Sequence, residues 1–179
     1  MKILKSIDTQ QMFFKPLIIS AFSLLFFCAT LHTLSAQCRH LSKTHPTQTR
    51  LMTLINGVII KETLAVKARR SDDQLYLDIH FKTTEAAFSI KKNSVLTLVY
   101  ANGQSVELKA TDMLYSDAYN TCCDVVWLAE VAYFIPKEKY EILINNNISE
   151  MRLELDNRLK IFYLKSRKQR KIGELLRCF

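Results

Sequence analysis

VLTLVYANGQSVELKA, running from Val95 to Ala110, is two apolar, β-prone runs joined by Asn102-Gly103, and its reading decides the class of fold. Asparagine and glycine both tolerate positive φ, so Asn102-Gly103 predicts a two-residue hairpin loop. That loop sets Ala101 against Gln104, Val99 against Val106, Thr97 against Leu108 and Val95 against Ala110. One face is then almost wholly apolar, while Leu96, Leu98 and Tyr100 share the other with Ser105, Glu107 and Lys109. A register is strongly specified where one face of a sheet is buried, so this hairpin anchors an antiparallel β body.

The same period of two continues on either side. Leu75, Leu77, Ile79 and Phe81 alternate with Tyr76, Asp78, His80 and Lys82, and Leu64, Val66 and Ala68 form a similar set. VVWLAEVAYFI, Val125 to Ile135, is apolar on both faces apart from Glu130 and predicts a central strand covered on both sides. Pro136 then opens a short helix with Tyr140, Leu143 and Ile144 on one side, and Asn145 to Asn147 end it. For the last hairpin, a three-residue loop from Asp156 to Arg158 pairs Leu155 with Leu159, Leu153 with Ile161 and Met151 with Tyr163. Asn157 or Arg158 takes the left-handed conformation in that reading. At the C-terminus, Leu164, Ile172, Leu175, Leu176 and Phe179 share a helical stripe. Gly173 weakens such a helix by roughly 1 kcal/mol relative to alanine, so a tertiary contact must support it. The chain is therefore expected to be mainly β (a β-rich α+β fold). An antiparallel sheet or sandwich-like body would carry a short helix before the last hairpin and a C-terminal amphipathic helix, all in one domain over 51–179.

Ahead of that domain lies an export signal. Lys2, Lys5 and Lys15 against Asp8 make a basic start, and an uncharged apolar run from Pro16 to Ala36 follows. The small side chain of Ala36 predicts cleavage after it, giving a signal peptide over 1–36 and a flexible leader over 37–50. The densest apolar part, Leu17 to Leu31, is short of the roughly 20 residues that span a bilayer, so a membrane anchor through 17–36 is the alternative reading. Gln37, where glycine, alanine or serine precedes a lipidated cysteine, disfavours acylation of Cys38. The expected compartment is the periplasm or the exterior.

The charge is concentrated in one place. The chain carries +8, of which the signal holds +2, leaving +6 on the mature chain; the residues from Arg158 onward alone sum to +7. Lys165, Arg167, Lys168, Arg170 and Lys171 lie in this segment and are the candidates for a weak contact with an anionic membrane surface. Export argues against nucleic acid as the partner, and the solvated face of a packed helix is the simpler role for these cations.

Four cysteines survive removal of the signal: Cys38, Cys122, Cys123 and Cys178. In an oxidising compartment they are disulfide candidates, with Cys178 expected to pair with Cys122 or Cys123 and so to staple the C-terminal helix to the loop before the central strand. Cys38, His40 and His45 supply too few ligands for a structural zinc site. His80 has the chemistry of a general base for a nucleophilic Cys122 or Cys123, although nothing in the spacing brings them together. Asp112, Asp117, Asp124 and Glu130 match no calcium loop, and the three glycines of the chain form no phosphate-binding loop. No catalytic residues, metal ligands or cofactor are assigned.

The Ala36-Gln37 end of the signal and the hairpin, helix, hairpin order resemble uncharacterised small exported β-rich proteins of Bacteroidetes-type bacteria. That resemblance implies an envelope location and carries no motif with a role. The expected function is a non-enzymatic binding or structural module whose partner is an envelope protein or ligand. The alternative is an envelope thiol protein, redox or hydrolytic, working through Cys122 and Cys123.

Overall fold

The computed structural model describes residues 40–45, 47–56, 62–156 and 158–179; the expected export signal and Cys38 lie outside them. The fold is mainly β, as expected. In chain order the strands are β1 (Met52–Asn56), β2 (Thr63–Ser71), β3 (Gln74–Thr83), β4 (Ser89–Ile90), β5 (Val95–Tyr100), β6 (Ser105–Ala110), β7 (Leu114–Tyr115), β8 (Asp117–Asn120), β9 (Val125–Ile135), β10 (Ile148–Glu154) and β11 (Leu159–Tyr163). Among the described residues, two α-helices, α1 (Lys137–Asn145) and α2 (Lys171–Leu176), complete it.

Nine strands form one antiparallel sheet in the order β1-β2-β3-β9-β6-β5-β10-β11, with β8 also on β9. The join between β9 and β6 is narrow, pairing only Phe134 with Lys109 and Tyr133 with Ala110. It acts as a corner, and the two halves of the sheet face each other across the core in a sandwich-like arrangement. Phe81 of β3 packs against Phe88 at 5.1 Å and edge-on against Phe162 of β11 at 5.6 Å between ring centroids. Leu77, Ile79, Leu96, Leu98, Leu108, Val131 and Met151 fill the same interior.

The two hairpins depart from the sequence reading, each by one residue. In the first, Leu96 faces Leu108, Leu98 faces Val106 and Val99 faces Ser105, so the loop holds Ala101, Asn102 and Gly103. Within this loop Gly103 alone has positive φ, +84°. A three-residue loop ending in a left-handed glycine replaces the two-residue turn. The physical gain is that Leu96, Leu98 and Tyr100 now share the buried face with Val106, Leu108 and Ala110, whereas the two-residue register would have left the three larger side chains opposite Ser105, Glu107 and Lys109. In the second, Glu154 pairs with Leu159, Arg152 with Ile161 and Glu150 with Tyr163, and the Leu155 N–H donates to the Arg158 carbonyl at 2.9 Å. Leu155 therefore opposes Arg158 rather than Leu159. Arg158 is not left-handed, and Asn157 lies outside the described residues. Met151, Leu153 and Leu155 still face the core, with Phe162 and Leu164, but Leu159, Ile161 and Tyr163 point outward.

A third hairpin carries no glycine. Asp72 and Asp73 both take positive φ, 49° and 60°, and join β2 to β3 with Ser71 opposite Gln74. Aspartate tolerates this region better than most side chains, because its short carboxylate can bond locally.

β9 spans Val125–Ile135 and is central in the pairing, but only one of its faces is fully covered: Ala129, Val131, Tyr133 and Ile135 are buried, whereas Glu130 and Phe134 reach solvent. Part of the expected leader is also tied down. Gln48 bridges Arg69, and the Thr49 N–H donates to the Ala68 carbonyl at 2.8 Å while Thr49 Oγ1 accepts from the Ala68 N–H at 2.9 Å. Backbone hydrogen bonding requires no apolar period, so no pattern of side chains announces it.

At the C-terminus the expected long helix is a single 3-10 turn, Ser166–Lys168, followed by the short α2. The apolar stripe faces inward as expected, with Leu164, Ile172, Leu175 and Leu176 buried. Gly173 is the contact that supports it. A Cβ there would lie 3.0 Å from the Ile144 carbonyl oxygen and 3.2 Å from that of Leu143, so α2 crosses the end of α1 closely enough that an added methyl group would push the α1 backbone away. Gly173→Ala is expected to lose stability, about 1 to 3 kcal/mol from backbone overpacking, despite a gain of up to ~1 kcal/mol in helix propensity. A shift of the urea midpoint to higher concentration would contradict the close approach.

Candidate binding cleft

Three elements converge at the end of the sheet where β9 finishes. The Asp72-Asp73 turn, the Phe134-Ile135-Pro136 exit from β9 and the C-terminal Phe179 bound a cleft of about 850 Å³. Its floor is apolar, made by Leu75, Phe134, Ile135, Tyr140 and Phe179, and Arg70, Asp72, Asp73, Lys137 and Glu138 stand at its rim. This lies within the size range of ordinary ligand sites, which combine an apolar lining with a few polar groups.

Each wall has a local cause. Phe134 stays 37% exposed because the alternation of β9 turns it away from the core; its ring leans on Tyr76 of β3 at 5.9 Å. Tyr76 in turn lies beneath the guanidinium of Arg69 at 4.7 Å, a stack that fixes the aromatic wall from behind. Pro136, extended at ψ 146°, ends β9 and starts α1. Tyr140 on α1 donates its hydroxyl to the Leu176 carbonyl at 3.3 Å, and the Arg177 guanidinium donates to the Ile144 carbonyl. Arg70 and Asp73 form an ion pair at 2.9 Å across the hairpin.

A second cluster occupies the outward face of β2, β3 and β9. Asp78, only 2% exposed, accepts from Arg69 Nε at 3.0 Å and Nη2 at 3.3 Å, with Lys67 Nζ at 3.9 Å. Lys67 reaches Glu130 at 2.6 Å, and His80 Nε2 lies 3.2 Å from the same carboxylate. The bond to Asp78 raises the pKa of Arg69 further above its ordinary value. His80 titrates below its ordinary value, chiefly because burial disfavours the imidazolium; Glu130 opposes that shift and Lys67 adds to it. Protonating His80 therefore costs more in the folded chain than in the unfolded one. Its contribution is harmless above about pH 6.5 and becomes a loss of stability as pH falls from there through the lower folded pKa. The stability of the wild type relative to His80→Gln should fall between about pH 7.5 and 5.5; a difference independent of pH would contradict the burial effect.

The residues expected to share chemistry are kept apart. Cys122 and Cys123 sit at the exposed tip of the β8–β9 hairpin, whereas Glu130, the partner of His80, is five residues beyond Val125, roughly 16 Å along the strand. His80 is not a base for either thiol in this fold. The expected disulfide to Cys178 is also overturned. Cys178 adjoins Phe179, beside Ile135, and the eleven residues of β9 separate that end from the cysteine tip by roughly 33 Å. A disulfide needs Cα atoms within about 7 Å. The Sγ atoms of Cys122 and Cys123 are 3.1 Å apart, and no pair of described cysteines is at bonding distance. No group of three or more metal-ligating side chains occurs among the described residues.

Of the basic candidates, Lys171 pairs with Glu174 at 2.5 Å and Lys168 donates to the Thr53 carbonyl at 2.6 Å. Lys165, Arg167 and Arg170 are exposed. Another lysine points inward from β11: Lys160 meets Glu62 at 2.5 Å and Glu85 at 2.8 Å. Burial alone would lower the pKa of Lys160, but its bonds to the two glutamates raise it overall, and its bond to Glu85 lowers that carboxyl. Compared with known protein families, curated proteins and solved structures, the chain matches none. The cleft was not legible in the sequence, because its walls come from three distant segments; the Asp72-Asp73 pair between two alternating runs was the one available sign of the turn that bounds it.

Proposed function

We propose that the chain is a small exported, non-enzymatic binding module of the bacterial cell envelope, and that the cleft beside Phe134 takes its ligand. The carrying observation is the combination of an apolar floor with charged groups of both signs at the rim, held on strand ends and a helix start rather than on long loops. Such a lining suits a compact amphipathic molecule, its apolar body on Phe134, Tyr140 and Phe179 and its polar end toward Arg70 or Lys137. No helix among the described residues is long and apolar enough to cross a membrane.

Anilinonaphthalene sulfonate, an aromatic body with one anionic group, is a suitable probe. Its fluorescence is expected to rise on binding, and Phe134→Ala should weaken the affinity about tenfold, the loss of roughly 1.4 kcal/mol of apolar contact. Tyr115→Ala, at an exposed aromatic elsewhere, should leave it unchanged. Equal binding by both variants would reject the cleft.

A second reading rests on the cysteine tip. The 3.1 Å separation and exposure of Cys122 and Cys123 favour a thiol pair that exchanges with an external disulfide, the two thiols giving up two protons and two electrons and the external disulfide leaving as two thiols. Rapid alkylation of native reduced protein at this pair, abolished by prior treatment with oxidised glutathione, supports it; slow alkylation under both conditions rejects it.

A further inference from the structure

The sheet ends in β1 on one side and β11 on the other, and β11 is unusual for an edge. Its outward side chains, Leu159, Ile161 and Tyr163, are 54%, 44% and 73% exposed. They form a continuous apolar row at alternate positions, where edge strands ordinarily carry charge. The one charged side chain within the strand, Lys160, is turned inward and held by Glu62 and Glu85. Beyond Tyr163 the chain passes a slot of about 400 Å³ lined by Thr53 to Asn56 of β1 and by Tyr163, Lys165, Arg167 and Lys168. Three cations and no acid line it, and the outer edges of β1 and β11 have no strand partner among the described residues.

We propose that β11 is a strand-addition site for an extended peptide segment that is apolar at alternate positions and acidic at the end reaching Lys165, Arg167 and Lys168. The added strand pairs its backbone with the open edge of β11, its outward apolar side chains lie beside Leu159, Ile161 and Tyr163, and its carboxylates meet the cations of the slot. Backbone pairing supplies affinity, and the apolar row with its basic end supplies selectivity. A lipid headgroup offers no ladder of N–H and C=O groups to the edge. On β10 the outward face beside Tyr163, Ile161 and Leu159 carries Glu150 paired with Arg152, and Glu154, so it offers an anionic bilayer no net positive charge. A second copy paired antiparallel about Ile161 would carry its own basic end away from the slot and bring Asp156 together with Arg158 to it, a poorer match for three cations than an acidic segment. This surface is separate from the cleft beside Phe134, so either can fail without the other.

The test uses two labelled synthetic peptides, each alternating valine with polar residues, one ending in a glutamate run and the other in a lysine run. The glutamate peptide is expected to bind by fluorescence anisotropy, to weaken as salt is raised, and to protect the amides of Leu159 to Tyr163 from hydrogen exchange. Arg167→Glu, an exposed change that leaves the core intact, should weaken it at least about tenfold, and Ile161→Lys should abolish it with an unchanged circular dichroism spectrum. Equal binding of the two peptides, or binding without protection of β11, overturns the proposal. So does a dimer of the protein alone that Ile161→Lys dissociates, which assigns the edge to a second copy, and so does pelleting with phosphatidylglycerol vesicles by protein that ignores both peptides.

Discussion

Asp78→Ala is expected to destabilise the protein by about 3 kcal/mol, measured as a lowered midpoint in chemical denaturation at constant m-value. Asp78 is nearly inaccessible and accepts two bonds from one guanidinium. Its removal leaves Arg69 and Lys67 side by side without the carboxylate between them. The loss falls at the low end for a buried pair because Arg69 is one-third exposed, 34%, and can turn partly to water. Adding Arg69→Ala to Asp78→Ala should cost much less than the sum of the two single changes, since the second removes the charge the first stranded. Strict additivity would mean that the two side chains do not act as one unit. There is also a functional reading: Arg69 roofs Tyr76, and Tyr76 supports Phe134, so Asp78→Ala should loosen the aromatic wall of the cleft and reduce probe binding.

Phe81→Ala is expected to cost about 3 to 5 kcal/mol, a large part of the roughly 5 to 15 kcal/mol that holds an ordinary domain together. Phe81 is fully buried and touches both Phe88 and Phe162, so its ring is the contact through which β3 in one half of the sheet meets β11 in the other. A cavity there cannot close without moving a strand. Phe162→Ala should also destabilise, and a double-mutant cycle between the two should return a coupling of about 0.5 to 1.5 kcal/mol. No coupling would mean that the halves do not pack through these rings. Because Phe162 lies in β11, Phe81→Ala should also raise hydrogen exchange along that edge strand, whereas Gly173→Ala, acting at the helix crossing, should not.

Much of the fold was legible from period and punctuation. Alternation identified β2, β3, β5, β6, β10 and β11, a continuous apolar run identified β9, and Pro136 with the following stripe identified α1, because a half-buried strand or helix must repeat its apolar residues at the spacing of its own backbone. The failures cluster at turns. Ala101-Asn102-Gly103 and Leu155 to Arg158 each admitted two loop lengths, and a one-residue difference moves every side chain of a strand to the other face. Thr47 to Arg50 was missed because its bonds to β2 are made by backbone and by the Thr49 hydroxyl, neither of which leaves a pattern in the side chains. The expected pairing of Cys178 with Cys122 or Cys123 failed for a different reason. Cysteine count and compartment say that pairing is favourable but contain no distance, and the length of β9 supplied one that forbids it.

What the sequence by itself determined is the β-rich class, the identity of most elements, the inward stripe of the C-terminal segment and the gathering of positive charge after Arg158. These follow from short-range periodicity and composition, which any one segment carries whole. Tertiary structure alone decided which face of each hairpin is buried, that Gly173 sits where two helices cross, that buried Asp78 is paired with Arg69, and that Leu159, Ile161 and Tyr163 face outward on an open edge. Each of these depends on which distant segment arrives on the other side. A backbone turn or a helix crossing fixes that arrival through packing over the whole core, and no window of neighbouring residues contains it.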